Sequence, residues 1–206
     1  LNQSKTIKNI MIPLPGEYNI RNALGSIAVA LELGIKEDII KKSLLSFKGV
    51  ERRFSFVGEV NGISIIDDYA HHPTEIKNTL KAARALCTGK LIVVFEPHRY
   101  SRIIDLYDDF INSFDDSNFL FVTDIYAAGE KHIEGISKEK IIKSIKESGH
   151  KYVYFFKNEN KMEIELLKVS KQGDFIVFLG AGAISKKARA LEKNMLQLLL
   201  KNNSNN

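Results

Sequence analysis

The 206-residue sequence has a single cysteine, Cys87, which excludes an internal disulfide and fits a reducing compartment such as the cytoplasm. No apolar run approaches the roughly 20 residues that a bilayer-spanning helix needs, so no membrane association is expected. The opening LNQSKTIKNI has neither an initiator methionine nor an apolar stretch of signal-peptide type, and reads as the interior of a longer chain. A basic stripe interleaved with stacking aromatics is also missing. The net charge of +5 comes from 30 Lys and Arg against 25 Asp and Glu, with the lysines scattered along helical stretches such as Ile141 to Glu147. That distribution describes a solvated surface with no nucleic-acid partner, and leaves a small anion as the better use for the arginines. No stretch matches G-x-x-x-x-G-K-[ST], so the sequence has no visible loop for the outer phosphates of a nucleotide. What is present is a 44% hydrophobic composition, sufficient for an ordinary packed core.

From Arg53 onward, short β-rich runs alternate with helical patterns, which specifies an α/β fold with a mostly parallel, Rossmann-like sheet flanked by helices. Runs over Phe54 to Val60 and Ile63 to Ile66 flank Asn61-Gly62, a dipeptide that tolerates positive φ at both positions and so favours a tight hairpin. Pro73 suits the first turn of a helix reaching about Leu86. Leu91 to Phe95, Phe119 to Thr123, Tyr152 to Phe156 and Phe175 to Leu179 read as buried parallel strands, each followed by a turn and a helical stretch. The first residues behave differently. A helix from about Ile20 to Leu33, stopped by Gly34, a second from Lys36 to Leu45 and a fragment of strand make too small a core for a domain. The expected organisation is a remnant of a preceding domain over 1–49, a main domain over 50–200 with a hinge at Lys48-Gly49-Val50, and a polar, disordered tail over 201–206.

Two clusters could carry chemistry. The first, Asp67-Asp68-Tyr69-Ala70-His71-His72-Pro73-Thr74-Glu75, lies where a strand gives way to a helix, the edge at which open α/β sheets bind ligands. Its carboxylates and imidazoles could coordinate a metal or orient a substrate; equally, Asp68 could be a turn residue, Thr74 a helix-start polar group and the histidines surface. The second, Glu96-Pro97-His98-Arg99-Tyr100-Ser101-Arg102, follows the next strand and should share that edge. Its two arginines present fork-shaped donors suited to a carboxylate or phosphate, and are expected mostly exposed, with no salt bridge that fully occupies them. Gly180-Ala181-Gly182-Ala183-Ile184-Ser185 has the outline of a dinucleotide-binding turn, but places Ser185 where a third glycine or alanine belongs and follows the last strand instead of the first. A tight strand-to-helix corner explains it as well as a nicotinamide site does.

The strings DDYAHHPTEI, EPHRYSR and DIYAAGE, in this order, resemble the C-terminal domain of the UDP-N-acetylmuramate–L-alanine ligases, a branch of the Mur ligases. PGEYNIRNALGSIAVA resembles the segment that closes their ATP-binding central domain, and the likeness continues through GVERRF and FLGAGAIS. The resemblance implies an ATP- and Mg²⁺-dependent ligase of peptidoglycan synthesis, in which the muramate carboxylate of UDP-N-acetylmuramate is phosphorylated and L-alanine attacks the acyl phosphate. It assigns Asn22 to the adenine and Arg53 to the ATP phosphates, and brings Tyr69, His71, His98, Arg99 and Arg102 to the substrates near the forming amide. Where the family usually has a histidine beside the adenine, this sequence has Tyr18, which can stack but offers no imidazole nitrogen. The phosphate loop and the metal ligands are expected in a part not contained here, so the 206 residues alone should be inactive. A murein-tripeptide recycling ligase is the nearest alternative, opposed by His98-Arg99-Tyr100-Ser101-Arg102, and a nicotinamide-dependent oxidoreductase the more distant one. The oligomeric state is not legible.

Overall fold

A computed structural model describes residues 6–203, which fall into two compact units divided between Val50 and Glu51. The division lies one residue beyond the boundary read from the sequence.

The first unit holds two helices, α1 (Glu17–Glu32) and α2 (Glu37–Ser46). Gly34 ends α1 with φ of 73°, a left-handed conformation that glycine adopts without steric cost, while its N–H and that of Ile35 return to Leu31 and Ala30 carbonyls. Ala23 and Ile27 are buried, whereas Ile20, Leu24, Val29 and Leu33 stay exposed. The strand fragment expected here has no counterpart among residues 6–50. A strand needs a paired edge for its backbone groups, and no such edge exists within this unit.

The second unit is built on a six-stranded sheet in the order β1-β2-β6-β3-β4-β5. These strands are β1 (Ser55–Val60), β2 (Ile63–Asp68), β3 (Leu91–Phe95), β4 (Phe119–Val122), β5 (Val153–Tyr154) and β6 (Phe175–Leu179). Only β1 runs antiparallel to its neighbour. Asn61 and Gly62 connect it to β2 with φ of 50° and 73°, the conformation the dipeptide favours. The fifth strand is shorter than the run Tyr152 to Phe156 suggests, because only Val153 and Tyr154 reach β4 at this edge.

Side-chain alternation divides the core into two layers. Ile66, Val93, Phe95, Leu120, Val122, Val177 and Leu179 face α3 (Pro73–Leu86), α4 (Tyr100–Asp105), α5 (Tyr107–Ile111) and α6 (Lys138–Glu147). Ile63, Ile65, Ile92, Val94, Phe121, Ile176 and Phe178 face α7 (Met162–Val169) and α8 (Ile184–Asn203). On α8 the buried positions Ile184, Ala188, Leu191 and Met195 recur at helical spacing and form its inward stripe. Each fully buried Leu or Ile contributes about 1.5–3 kcal/mol. The last helix continues through Asn203, into the stretch read as a disordered tail; residues 204–206 lie outside the described part. Its inward stripe holds the preceding turns in place, and helix propagation beyond them costs little. No helix of the described residues is long and apolar enough to cross a membrane.

Candidate active site

Because β2, β6, β3 and β4 are parallel, the segments that leave their C-terminal ends gather at one edge of the sheet. Tyr69 to His72 leave β2, Glu96 to Arg102 leave β3, Thr123 to Tyr126 leave β4 and Gly180 to Ala183 leave β6. The two clusters of the sequence meet there. The Tyr69 and His71 rings make an edge contact at 5.0 Å between centroids, His71 and His98 are 5.5 Å apart, and His98 stacks on Tyr126 at 5.4 Å. Nη1 of Arg102 lies 3.0 Å from Nδ1 of His98.

The first cluster separates into scaffold and site. Asp68 is buried, and its two carboxylate oxygens accept from the Phe54 and Ala70 N–H groups at 2.7 Å. Burial raises its pKa even though those bonds oppose the rise. It is the turn residue that one reading allowed. Asp67 is equally buried and accepts from the Ser185 hydroxyl at 2.5 Å. His72 caps α3, accepting at Nδ1 from the Thr74 N–H, and Glu75 reaches back to the N–H groups of His71 and His72. That reciprocal arrangement is a capping box with histidine in the role usually taken by serine or threonine. Burial raises the Glu75 pKa, but the His71 N–H bond and the charges of His71 and Arg53 outweigh it and leave the pKa lowered.

Arg53 is about half exposed, 3.6 Å from Glu75, with its guanidinium 5.7 Å from the centre of the Tyr69 ring. Its neighbour Arg52 is consumed by the fold. It donates to the Gly180 carbonyl at 2.6 Å, pairs with Asp67 at 3.8 Å and places its guanidinium 4.8 Å from the centre of the same Tyr69 ring. Asn22 belongs to the first unit, where it is exposed on α1 and borders a shallow groove of about 570 Å³ with Gly25, Ser26, Val29 and Ala30.

The second cluster holds the two arginines expected to bind an anion. Arg99 is about half exposed and 3.9 Å from Glu130, whose carboxylate is already held by the Ser101 N–H and hydroxyl. Arg102 is more buried than its place in the sequence suggests, because it packs along His98. Among the described residues no carboxylate lies within ion-pair distance of it. Arg99 has φ of 68° and ψ of 132°, a conformation rare for any residue with a Cβ. Its N–H donates to the Tyr126 carbonyl, and the Tyr126 N–H donates to the Pro97 carbonyl. These bonds form an isolated bridge that aligns Tyr126 beside His98. Burial, followed by the charge of Arg102, pushes the His98 pKa down to about 4, so the ring is neutral at physiological pH. Tyr126 is the member of the site that sequence reading missed. The string DIYAAGE contained it, but only the third strand end, at β4, places its ring.

The Gly180 to Ser185 turn is a corner and not a dinucleotide cradle. A Cβ on Gly182 would lie 2.5 Å from the Glu96 carboxylate and from the Tyr126 ring, so the glycine is required by packing. The Gly182 N–H donates to Glu96 at 3.0 Å, which puts a carboxylate of the chain itself at the start of α8. A pyrophosphate would need that position. Glu96 is buried, which raises its pKa against the lowering by the backbone N–H groups of Ile184 and Gly182.

Residues 52–182 match the family described as "Mur ligase, glutamate ligase domain". The chain belongs to the Mur ligase family. Among curated Mur ligases, it is 45% identical over 190 residues to the UDP-N-acetylmuramate--L-alanine ligase of Agrobacterium fabrum, covering 92% of this chain and 40% of the relative. It is likewise 45% identical over 192 residues to the enzyme of that name from Rhodospirillum rubrum, covering 93% and 40%. The crystal structure of the Mur ligase MurC, a UDP-N-acetylmuramate-alanine ligase from Thermotoga maritima, superposes with a TM-score of 0.76 at 29% identity, over 94% of this chain and 41% of that one. A murein peptide ligase from Psychrobacter arcticus shares the fold with a TM-score of 0.67 at 23% identity. This Mur ligase chain thus spans about 40% of the length of the curated relatives it matches.

Proposed function

We propose that the chain is the amino-acid-binding part of a cytoplasmic, ATP-dependent ligase that joins L-alanine to UDP-N-acetylmuramate in peptidoglycan synthesis. The observation that carries this reading is the meeting of Tyr69, His71, His98 and Arg102 at the C-terminal edge of the sheet, with the Arg102 guanidinium unpaired by any carboxylate of the described residues. Arg102 and Arg99 present planar, permanently charged donors to the L-alanine carboxylate and to the charge that develops as phosphate leaves. Tyr69 and His71 line the approach of the amine. His98 contributes a hydrogen bond and not a charge, because it is neutral.

ATP enters as co-substrate and supplies the phosphoryl group that activates the muramate carboxylate. Arg53 fits a role at its phosphates, being half exposed with only a loose carboxylate neighbour. Asn22 fits the adenine edge, since an exposed amide offers both a donor and an acceptor. Tyr18 is half-buried, and no adenine contact is assigned to it. Among the described residues no group of three or more His, Cys, Asp or Glu could hold a metal ion, and the ligands of Mg²⁺ are assigned to the part of the enzyme outside this chain. Much of the catalytic effect of these residues lies in positioning and charge stabilisation.

A phosphate-release assay on the complete enzyme tests the reading. ATP turnover that requires both UDP-N-acetylmuramate and L-alanine is the expected result. Turnover with L-alanyl-γ-D-glutamyl-diaminopimelate but not with L-alanine would reassign the chain to the murein peptide ligases.

A further inference from the structure

The two imidazoles of the site are held in opposite tautomers by their neighbours. Nδ1 of His71 is 2.8 Å from the Tyr69 carbonyl oxygen and 3.6 Å from a Glu75 oxygen. Both of those atoms only accept, so Nδ1 carries the hydrogen and the lone pair of the neutral ring sits on Nε2. Nδ1 of His98 is 3.0 Å from Nη1 of Arg102, which only donates. Nδ1 of His98 is therefore the acceptor, and its hydrogen is on Nε2. Neither Nε2 has a hydrogen-bond partner among the described residues. With ring centres 5.5 Å apart, the pair offers one bare acceptor and one bare donor on neighbouring rings.

We propose that His71 is the general base for the incoming amino acid, accepting at Nε2 one proton of its ammonium group, while His98 donates from Nε2 to an oxygen of the substrates. The proposal rests on the acyl-transfer reading above. L-Alanine binds as R–NH₃⁺, which has no lone pair for attack, and loses one proton to His71 Nε2. The free amine then forms the C–N bond to the acyl phosphate carbon. Collapse of the tetrahedral intermediate breaks the bond from carbon to the phosphate oxygen. The departing phosphate carries away the second proton, and His71 later returns the first to solvent. The charged groups that face His71 are of both signs. Glu75, at the start of α3, lies 3.6 Å from Nδ1 and is opposite in charge to an imidazolium, whereas Arg53 and Arg52, on the Tyr69 ring, and Arg102, against His98, carry the same charge as one. The neutral state of His98 leaves His71 without a charged imidazole beside it.

His71→Asn in the complete enzyme provides the test, because the asparagine amide can keep the donor to the Tyr69 carbonyl while removing the acceptor. Two nucleophiles are compared: L-alanine, which must lose a proton, and hydroxylamine, which is already uncharged near neutral pH and traps the acyl phosphate as a hydroxamate. The expected result is a loss of L-alanine-dependent product of about 10²–10⁴-fold relative to hydroxamate at neutral pH. The gap should narrow about tenfold per pH unit as the free amine becomes available from solution. Loss of both products by the same factor, or a deficit independent of pH, assigns His71 a structural or binding role and overturns the proposal. Failure of the unaltered enzyme to form hydroxamate would instead refute the acyl phosphate reading itself.

Discussion

Replacing Arg102 with alanine separates a charge used on substrate from one used on folding. In the structure its guanidinium makes one hydrogen bond to a neutral ring, at 3.0 Å, and no carboxylate of the described residues pairs with it. Losing one such bond costs about 0.5–1.5 kcal/mol, which for a protein of this size lowers the Tm by about 1–6 °C. Removal of a preorganised donor that stabilises developing charge costs about 2–4 kcal/mol in the transition state, which is about 30- to 900-fold in kcat/KM of the complete enzyme. Arg102→Lys should recover part of that loss, because an ammonium is a point charge without the planar fork. A third consequence is readable in the 206-residue chain. Burial and then the Arg102 charge hold the His98 pKa at about 4, so Arg102→Ala should raise it, though not fully to 6.5 because burial remains. Titration of the imidazole ring protons by NMR measures the shift. If Arg102→Ala unfolds the domain, leaves the activity of the surviving folded fraction normal, and does not move the His98 titration, Arg102 is structural and the site is misplaced.

Gly182→Ala should destabilise the domain by about 1–3 kcal/mol, because the new methyl group must displace both the Glu96 carboxylate and the Tyr126 ring, each 2.5 Å from it; thermal melts against wild type measure this, and an unchanged Tm would show that the corner yields freely. His98 predicts a sign for pH dependence. Its pKa is depressed in the folded state, so its contribution to stability is complete above about 6.5 and is lost as the pH falls towards about 4. Urea titrations across that window should show a steeper acid loss for the wild type than for His98→Asn, and equal slopes would count against the assigned environment. The purified 206-residue chain should show no L-alanine-dependent ATP hydrolysis, since its sequence has no phosphate loop. Steady turnover free of longer contaminants would refute this.

Elements fixed by local chemistry were legible in the sequence. Asn61-Gly62 makes its hairpin, Pro73 opens α3 at the residue expected, and the runs Leu91 to Phe95 and Phe175 to Leu179 are strands to the residue. Each needs only information within a few positions. Strand order was not legible, since β6 inserts between β2 and β3 through pairings that span more than 80 residues. In the site, sequence reading found the two clusters and the edge they share, but not the division of labour inside them. Arg52 and Arg53 are adjacent and chemically identical, yet only tertiary contacts make the first a brace for Gly180 and Asp67 and leave the second half exposed. The cap of α3 is similar: Thr74 and His72 both carry polar groups, and the backbone geometry at the β2 exit selects His72. Tyr126 was missed because its loop runs from Thr123 to Ser137 without helix or strand, so no periodic pattern marks it.

The backbone at Arg99 has a bearing on how far this domain could be stabilised. Its φ of 68° with ψ of 132° suits glycine, and holding a side chain there costs about 1–3 kcal/mol. The surrounding bonds to Tyr126 and Pro97 force that conformation whatever residue occupies the position. Selection for thermal resistance alone would therefore replace Arg99 with the smallest residue, and selection for ligand binding would retain the guanidinium. On the role proposed for Arg99, the two pressures act in opposite directions on one codon, and the exit of β3 is where heat-tolerant variants of this domain would be bought with lost activity.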